Sequence, residues 1–168
     1  MVEFYSQLLN GLVLGLLFGV MALGFMMILS VMEVINFSHG VLFAFGAYFA
    51  FTLQKYVGYW LALILGPLLV GVMGLLMEFT LVRRVYGKDP LFGLLMTLGL
   101  AMSFEEIIRM VWGKIGYSMA APKFVAGPID LGFMFFSKYR LFLAALSLLM
   151  LALVWLFLEK TPYGAIIK

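Results

Sequence analysis

Gly11 to Met32 runs GLVLGLLFGVMALGFMMILSVM without one charged side chain. As a helix it is ~33 Å long, enough to cross the hydrocarbon core of a bilayer. Working outward, further apolar runs follow at Val41–Gln54, at Tyr59 to about Phe79 with Pro67 expected to kink it, at Leu91–Trp112 and at Tyr139–Leu158. Only 11% of the residues are charged and 65% are hydrophobic, too little polar surface for a soluble domain of this length. Strands of a membrane barrel would alternate apolar and polar residues, whereas these runs are continuous. The expected fold class is all-α: a polytopic transmembrane helical bundle of about five spans, with one short or broken helix, forming a single domain over 1–168.

The short element is the second. Val41–Gln54 approaches spanning length only together with the hexapeptide Ile35-Asn36-Phe37-Ser38-His39-Gly40 before it. That hexapeptide places an amide, a hydroxyl and the single histidine between two apolar segments. Polar groups there cannot face lipid, so they face water, a partner helix or a pathway. Asn36, Phe37, Ser38, His39 and Gly40 are therefore the candidate pathway residues. His39 either contacts substrate, acts as a gate, or satisfies backbone carbonyls exposed where the helix is interrupted. A metal role is not expected, because no second ligand lies nearby at suitable spacing.

Two small-residue ladders flank this segment. Gly11, Gly15 and Gly19 share one face of the first span, and Gly40, Ala44, Ala47 and Ala50 share one face of the second. Faces of this kind let helix backbones approach closely in lipid. The binding region is expected near Asn36–Gly40, against the glycine face of the first span.

Within the fourth run, Glu105 and Glu106 precede Arg109 by four and three residues, so one arginine reaches either carboxylate on a single helix surface. Three readings stand: an ion pair near the membrane interface, a polar lining at the outer mouth of a pathway, or a proton relay. The stretch Gly113–Lys138 is polar and carries Pro122 and Gly127-Pro128. It predicts an extramembrane hairpin with Lys123-Phe124-Val125 and Ile129-Asp130-Leu131 as candidate strands.

Arg83, Arg84 and Lys88 crowd one short loop, and Lys160 and Lys168 follow the last run. In a five-span count these fall on one side, which the positive-inside rule makes cytoplasmic, with the N-terminus outside. Lys55, Lys114, Lys123 and Lys138 lie opposite. The net charge of +3 comes from loops and gives no ground for a nucleic-acid partner. There is no cysteine, hence no disulfide. Thr161-Pro162 has the form of a helix start, Thr at the N-cap and Pro at the first position. A helix begun there would be about one turn long by Lys168 and unstable alone, so the chain is expected to be incomplete at its C-terminal end.

These residues resemble a family. Leu8-Leu9-Asn10-Gly11, Ala22-Leu23-Gly24, Val34-Ile35-Asn36-Phe37-Ser38-His39-Gly40 and Gly46-Ala47-Tyr48 look like the N-terminal portion of LivH-type permeases, membrane subunits of ABC importers for branched-chain amino acids. Thr97-Leu98-Gly99-Leu100, Glu106 with Arg109, Trp112-Gly113, Tyr139-Arg140-Leu141-Phe142 and Thr161-Pro162 with Gly164 follow in the family's order. The resemblance implies a second permease subunit, identical or related, two cytoplasmic ATPase subunits and a soluble substrate-binding protein, in an inner membrane. It also implies that Thr161, Pro162, Gly164 and Lys168 approach the segment coupled to the ATPases. No catalytic residue is expected, and no Gly-rich phosphate loop with Lys and Ser/Thr occurs, so ATP would bind the partner subunits.

Overall fold

The computed structural model describes residues 2–32, 35–119, 121–130, 132, 134–162 and 164. Five α-helices dominate: α1 Val2–Met32, α2 His39–Val57, α3 Tyr59–Thr80, α4 Pro90–Trp112 and α5 Lys138–Lys160. Four of them, all but α2, are long and apolar enough to cross a membrane. α2 has 19 residues and is less apolar, beginning at His39 and carrying Gln54 and Lys55 near its end. The protein is thus all-α and polytopic, with α2 as the short helix.

Two boundaries differ from the sequence reading. α1 begins at Val2, because no Gly or Pro interrupts the residues before Gly11. Pro67 lies inside α3, as it does in the run read from the sequence. The hairpin pairs β1 Pro128–Asp130 with β2 Phe135–Ser137 in antiparallel register, Ile129 opposite Phe136. Lys123-Phe124-Val125 is a turn instead of a strand: the Val125 N–H donates to the Pro122 carbonyl at 2.9 Å, so proline starts a tight reversal there. Leu131, expected in a strand, lies outside the described residues.

Two compact units divide the chain. The first holds residues 1–30 and 120–168. Its core is Val13 of α1 with Met134 and Phe136, flanked by Leu9, Leu17, Ile129, Leu141 and Ala144. Arg140 of α5 donates to the Asn10 side-chain carbonyl of α1. Most of α1 and α5 remains exposed, Phe18 and Trp155 among many, as apolar helices that meet lipid or another chain do.

The second unit, residues 31–119, carries α2, α3 and α4. α2 and α3 form a hairpin joined by Gly58 alone, at φ 81° and ψ 168°. A side chain would be strained in that conformation, so glycine is required for so short a turn. The two helices then approach closely. A Cβ on Gly66 would stand 3.0 Å from the Gly46 carbonyl oxygen and 3.1 Å from the Ala50 Cβ, and Ala62 is fully buried.

α4 lies parallel to α2. Phe45 meets Phe104 edge-on at 5.7 Å, and Trp112 stacks at a tilt on Tyr48 at 5.1 Å. The Trp112 indole N–H donates to Thr52 Oγ1 at 2.9 Å, so the last residue of α4 ties it to α2. Below them Leu42, Met77 and Val82 form the unit's apolar core with Met96 and Leu100. Asp89 caps α4, accepting from the Leu91 N–H at 2.9 Å ahead of Pro90 at the first turn. Between α3 and α4 a short 3-10 turn, Val82–Val85, presents Arg83 to Glu78 at 3.7 Å.

Candidate functional site

The hexapeptide forms a genuine break, and α4 supplies what the broken backbone needs. Asn36 Oδ1 accepts from the Ser38 N–H at 3.0 Å, a local turn made by its own side chain. The Ser38 hydroxyl donates to the Thr97 carbonyl at 2.8 Å. Thr97 Oγ1 donates to the Ile35 carbonyl at 3.0 Å and accepts from the Phe37 N–H at 3.3 Å. The Asn36 carbonyl in turn accepts from the His39 N–H at 3.2 Å, opening α2. Asn36, Ser38 and Thr97 are buried at 5%, 0% and 0% exposure, and no described buried side-chain polar atom lacks a partner. Backbone groups withdrawn from water must be paired internally, and here a threonine sixty positions away completes the pairing.

The depth of this break follows from helix geometry. Thr97 lies ~10 Å along α4 from Pro90 and ~22 Å short of Trp112. The start of α2 is therefore level with a point ~10 Å inside α4, not with that helix's end. Among the candidate pathway residues, Asn36 and Ser38 are occupied in holding the break. Phe37 is exposed and His39 partly so. Gly40 lines a cavity.

That cavity, of about 480 Å³, lies between α2 and α4. Gly40, Val41, Ala44 and Tyr48 form one wall; Glu105, Ile108 and Arg109 form the other. Gly113 ends α4 at φ 85° and ψ −176°, a conformation for which glycine is suited, and the chain turns there to bring Lys114 to the rim. Arg109 bonds both carboxylates at once, Glu105 Oε1 at 2.5 Å and Glu106 Oε1 at 2.8 Å. The three side chains are about half exposed, 47% for Arg109 and 54% and 57% for the glutamates. Charges exposed on a membrane-spanning helix require water or a partner beside them, and the cavity provides such a polar surface.

A second cavity of about 360 Å³ shares Ala44 and Tyr48 with the first. It adds Ala47, Phe51, Gly116, Tyr117 and Met119, and is the more apolar of the two. Phe51 stacks on Tyr117 at 4.8 Å, with the Lys55 ammonium 5.0 Å over the Phe51 ring. Ala44 and Ala47 thus border open space. The close helix contact on α2 runs through Ala50, the last member of the expected stripe, and through Gly46, which lies outside it. Gly11, Gly15 and Gly19 belong to the other unit, where no described atom comes within 4 Å of a Cβ placed on any of them.

At the end of α5, Thr161 takes an extended conformation, φ −112° and ψ 149°. Its Oγ1 accepts from the Gly164 N–H at 3.2 Å while the same hydroxyl donates to the Phe157 carbonyl at 2.7 Å. One side chain therefore closes α5 and caps the turn begun at Pro162. Lys168 lies outside the described residues.

Sequence reasoning missed Thr97 as a site residue and missed Lys114 and Tyr48 as cavity residues. A threonine among the apolar residues of α4 was the available signal, since a buried hydroxyl needs partners.

A family model described as branched-chain amino acid transport system, permease component, matches residues 7–168. No curated protein matches the chain, and no solved structure does.

Proposed function

From the premise that the chain belongs to the permease-component family of branched-chain amino acid transport systems, we propose that it is a membrane-spanning subunit of an ATP-driven importer. Its substrates are branched-chain or closely related small amino acids, carried across an inner membrane. A second permease subunit, identical or related, completes the pathway. A soluble binding protein delivers substrate outside, and two cytoplasmic ATPase subunits bind and hydrolyse ATP. The chain itself performs no catalysis. Its N-terminus lies outside and its C-terminus in the cytoplasm, a placement supported by Arg83, Arg84 and Lys88 in one short loop and by Lys160 after the last helix.

The observation that carries this reading is the self-satisfied break at residues 35–38, seated on Thr97 part-way along α4 and next to a mixed-charge cavity. A helix that starts part-way along a spanning neighbour leaves polar groups beside a route for solute, the arrangement used where transporters handle their cargo. Asn36 and Ser38 hold the break, while Phe37, His39 and Gly40 line the route. Thr161, Pro162 and Gly164, with Lys168, pass the ATPase stroke to α5.

The test is uptake of labelled leucine by the complete assembly in proteoliposomes. ATP inside the cytoplasmic compartment should drive uptake, and collapsing ion gradients should leave it intact. Uptake that follows an ion gradient and ignores ATP would identify an ion-coupled carrier instead. Asn36→Ala and His39→Ala should each lower uptake while the assembly still forms, and normal uptake in both would remove the hexapeptide from the route.

A further inference from the structure

The connection between α3 and α4 carries charge that its own groups do not neutralise. Positions 78 to 89 hold three cations, Arg83, Arg84 and Lys88, and two carboxylates, Glu78 and Asp89, so one positive charge is in excess. Glu78 Oε1 stands 3.7 Å from Arg83 Nε and accepts from the Tyr86 hydroxyl at 3.2 Å. The Arg83 guanidinium also lies 4.9 Å over the Phe79 ring, so Arg83 finds its partners within the connection. Asp89 is engaged at the start of α4, where it accepts from the Leu91 N–H and meets the positive end of the helix dipole. Arg84 and Lys88 are exposed and form no salt bridge with a described residue. They flank the turn closed by the Lys88 N–H on the Val85 carbonyl at 3.2 Å, so both cations belong to one short reversal.

The setting of this reversal selects its partner. Val82 is buried against Leu42 and Met77, which fixes the connection to its unit. Tyr59–Val85 and Pro90–Trp112 are each long and apolar enough to cross a membrane, and only residues 86–89 separate them. A link of four residues stays at the level of the lipid headgroups instead of reaching out into the aqueous phase. Close to it in the chain, Phe79 on α3 and Leu91 and Phe92 on α4 are exposed apolar side chains. We propose that this connection holds an anionic phospholipid: Arg84 and Lys88 receive its phosphate, and its acyl chains lie along Phe79, Leu91 and Phe92. Guanidinium and ammonium both make charge-assisted hydrogen bonds to phosphate oxygens, and one excess positive charge matches a singly charged phosphodiester. A zwitterionic lipid would bring a cation of its own to the same spot, and a soluble anion would gain nothing from the apolar neighbours. The assignment needs these helices to span a membrane and is independent of what the protein carries.

Native mass spectrometry of the full chain in detergent, with equal amounts of dioleoyl phosphatidylglycerol and dioleoyl phosphatidylcholine, reads the preference directly. Wild type should retain the anionic lipid over the zwitterionic one. Arg84→Gln and Lys88→Gln should each lower that preference about fivefold, and the double variant about tenfold or more. Swapping the two cations, Arg84→Lys with Lys88→Arg, keeps both charges and should keep the preference. Glu78→Gln with Arg83→Gln removes the internal pair without changing the net charge, and should stay within about twofold of wild type. Glycerophosphoglycerol, the same headgroup without chains, should not displace the lipid at equal concentration. An unchanged preference in both single variants overturns the assignment, as does an equal loss in the Glu78/Arg83 double variant or in the charge-keeping swap. Displacement by glycerophosphoglycerol as complete as by the intact lipid would reduce the site to one for free phosphate and overturn it too. Unaltered lipid preference in Arg84→Gln/Lys88→Gln, with ATPase subunits lost from the purified assembly, would make the loop a protein-docking surface instead.

Discussion

Thr97 is the most demanding single position. Its hydroxyl serves the Ile35 carbonyl and the Phe37 N–H, and its own carbonyl receives the Ser38 hydroxyl. Valine has nearly the same shape but can do neither hydroxyl job. Thr97→Val should therefore leave two part-buried backbone groups without this partner, at a cost of up to about 1–3 kcal/mol each. The expected outcome is a clear drop in thermal stability of the purified protein, with Thr97→Ser close to wild type. Equal stability of the valine and serine variants would show that the break is held by something else.

Among the elements, the α2–α3 hairpin and α1 use glycine for different ends. Gly66 abuts backbone atoms of α2, the Gly46 oxygen at 3.0 Å and the Ala50 nitrogen at 3.2 Å. Backbone yields less readily than a flexible side chain, so Gly66→Ala should overpack the contact and cost about 1–3 kcal/mol. Gly11→Ala and Gly15→Ala meet no atom within 4 Å inside their unit. Those two should leave the stability of the isolated chain unchanged, within experimental error of wild type. Thermal unfolding of the three variants side by side reads the contrast. A loss of stability in the α1 variants as large as that in Gly66→Ala would contradict it.

Taken as a whole molecule, the absence of cysteine makes sidedness directly measurable. With α2, α3 and α4 running up, down and up, the 81–89 connection and the stretch after Trp112 leave at opposite ends of their unit. Lys88→Cys should react with an impermeant maleimide only from the cytoplasmic side, and Lys123→Cys only from outside. The opposite pattern would invert the proposed topology and place the binding-protein face at the arginine loop.

Much of this architecture is readable one segment at a time. Continuous apolar runs declare helices because transfer into lipid rewards every residue of the run, whatever its neighbours in space. The same local logic exposes the polar break at Asn36–Gly40 and the spacing that joins Glu105 and Glu106 to Arg109. Which face of each helix meets another is a different matter. In helices apolar all round, hydrophobic periodicity no longer distinguishes a packed face from a lipid-facing one. So the contact of Gly46 with Gly66, the hydroxyl of Thr97 beneath the break, the β1–β2 register and the arrival of Lys114 and Tyr48 at one cavity were decided only in three dimensions. Each depends on groups far apart in the chain, brought together by close packing and by the need to pair every buried polar group.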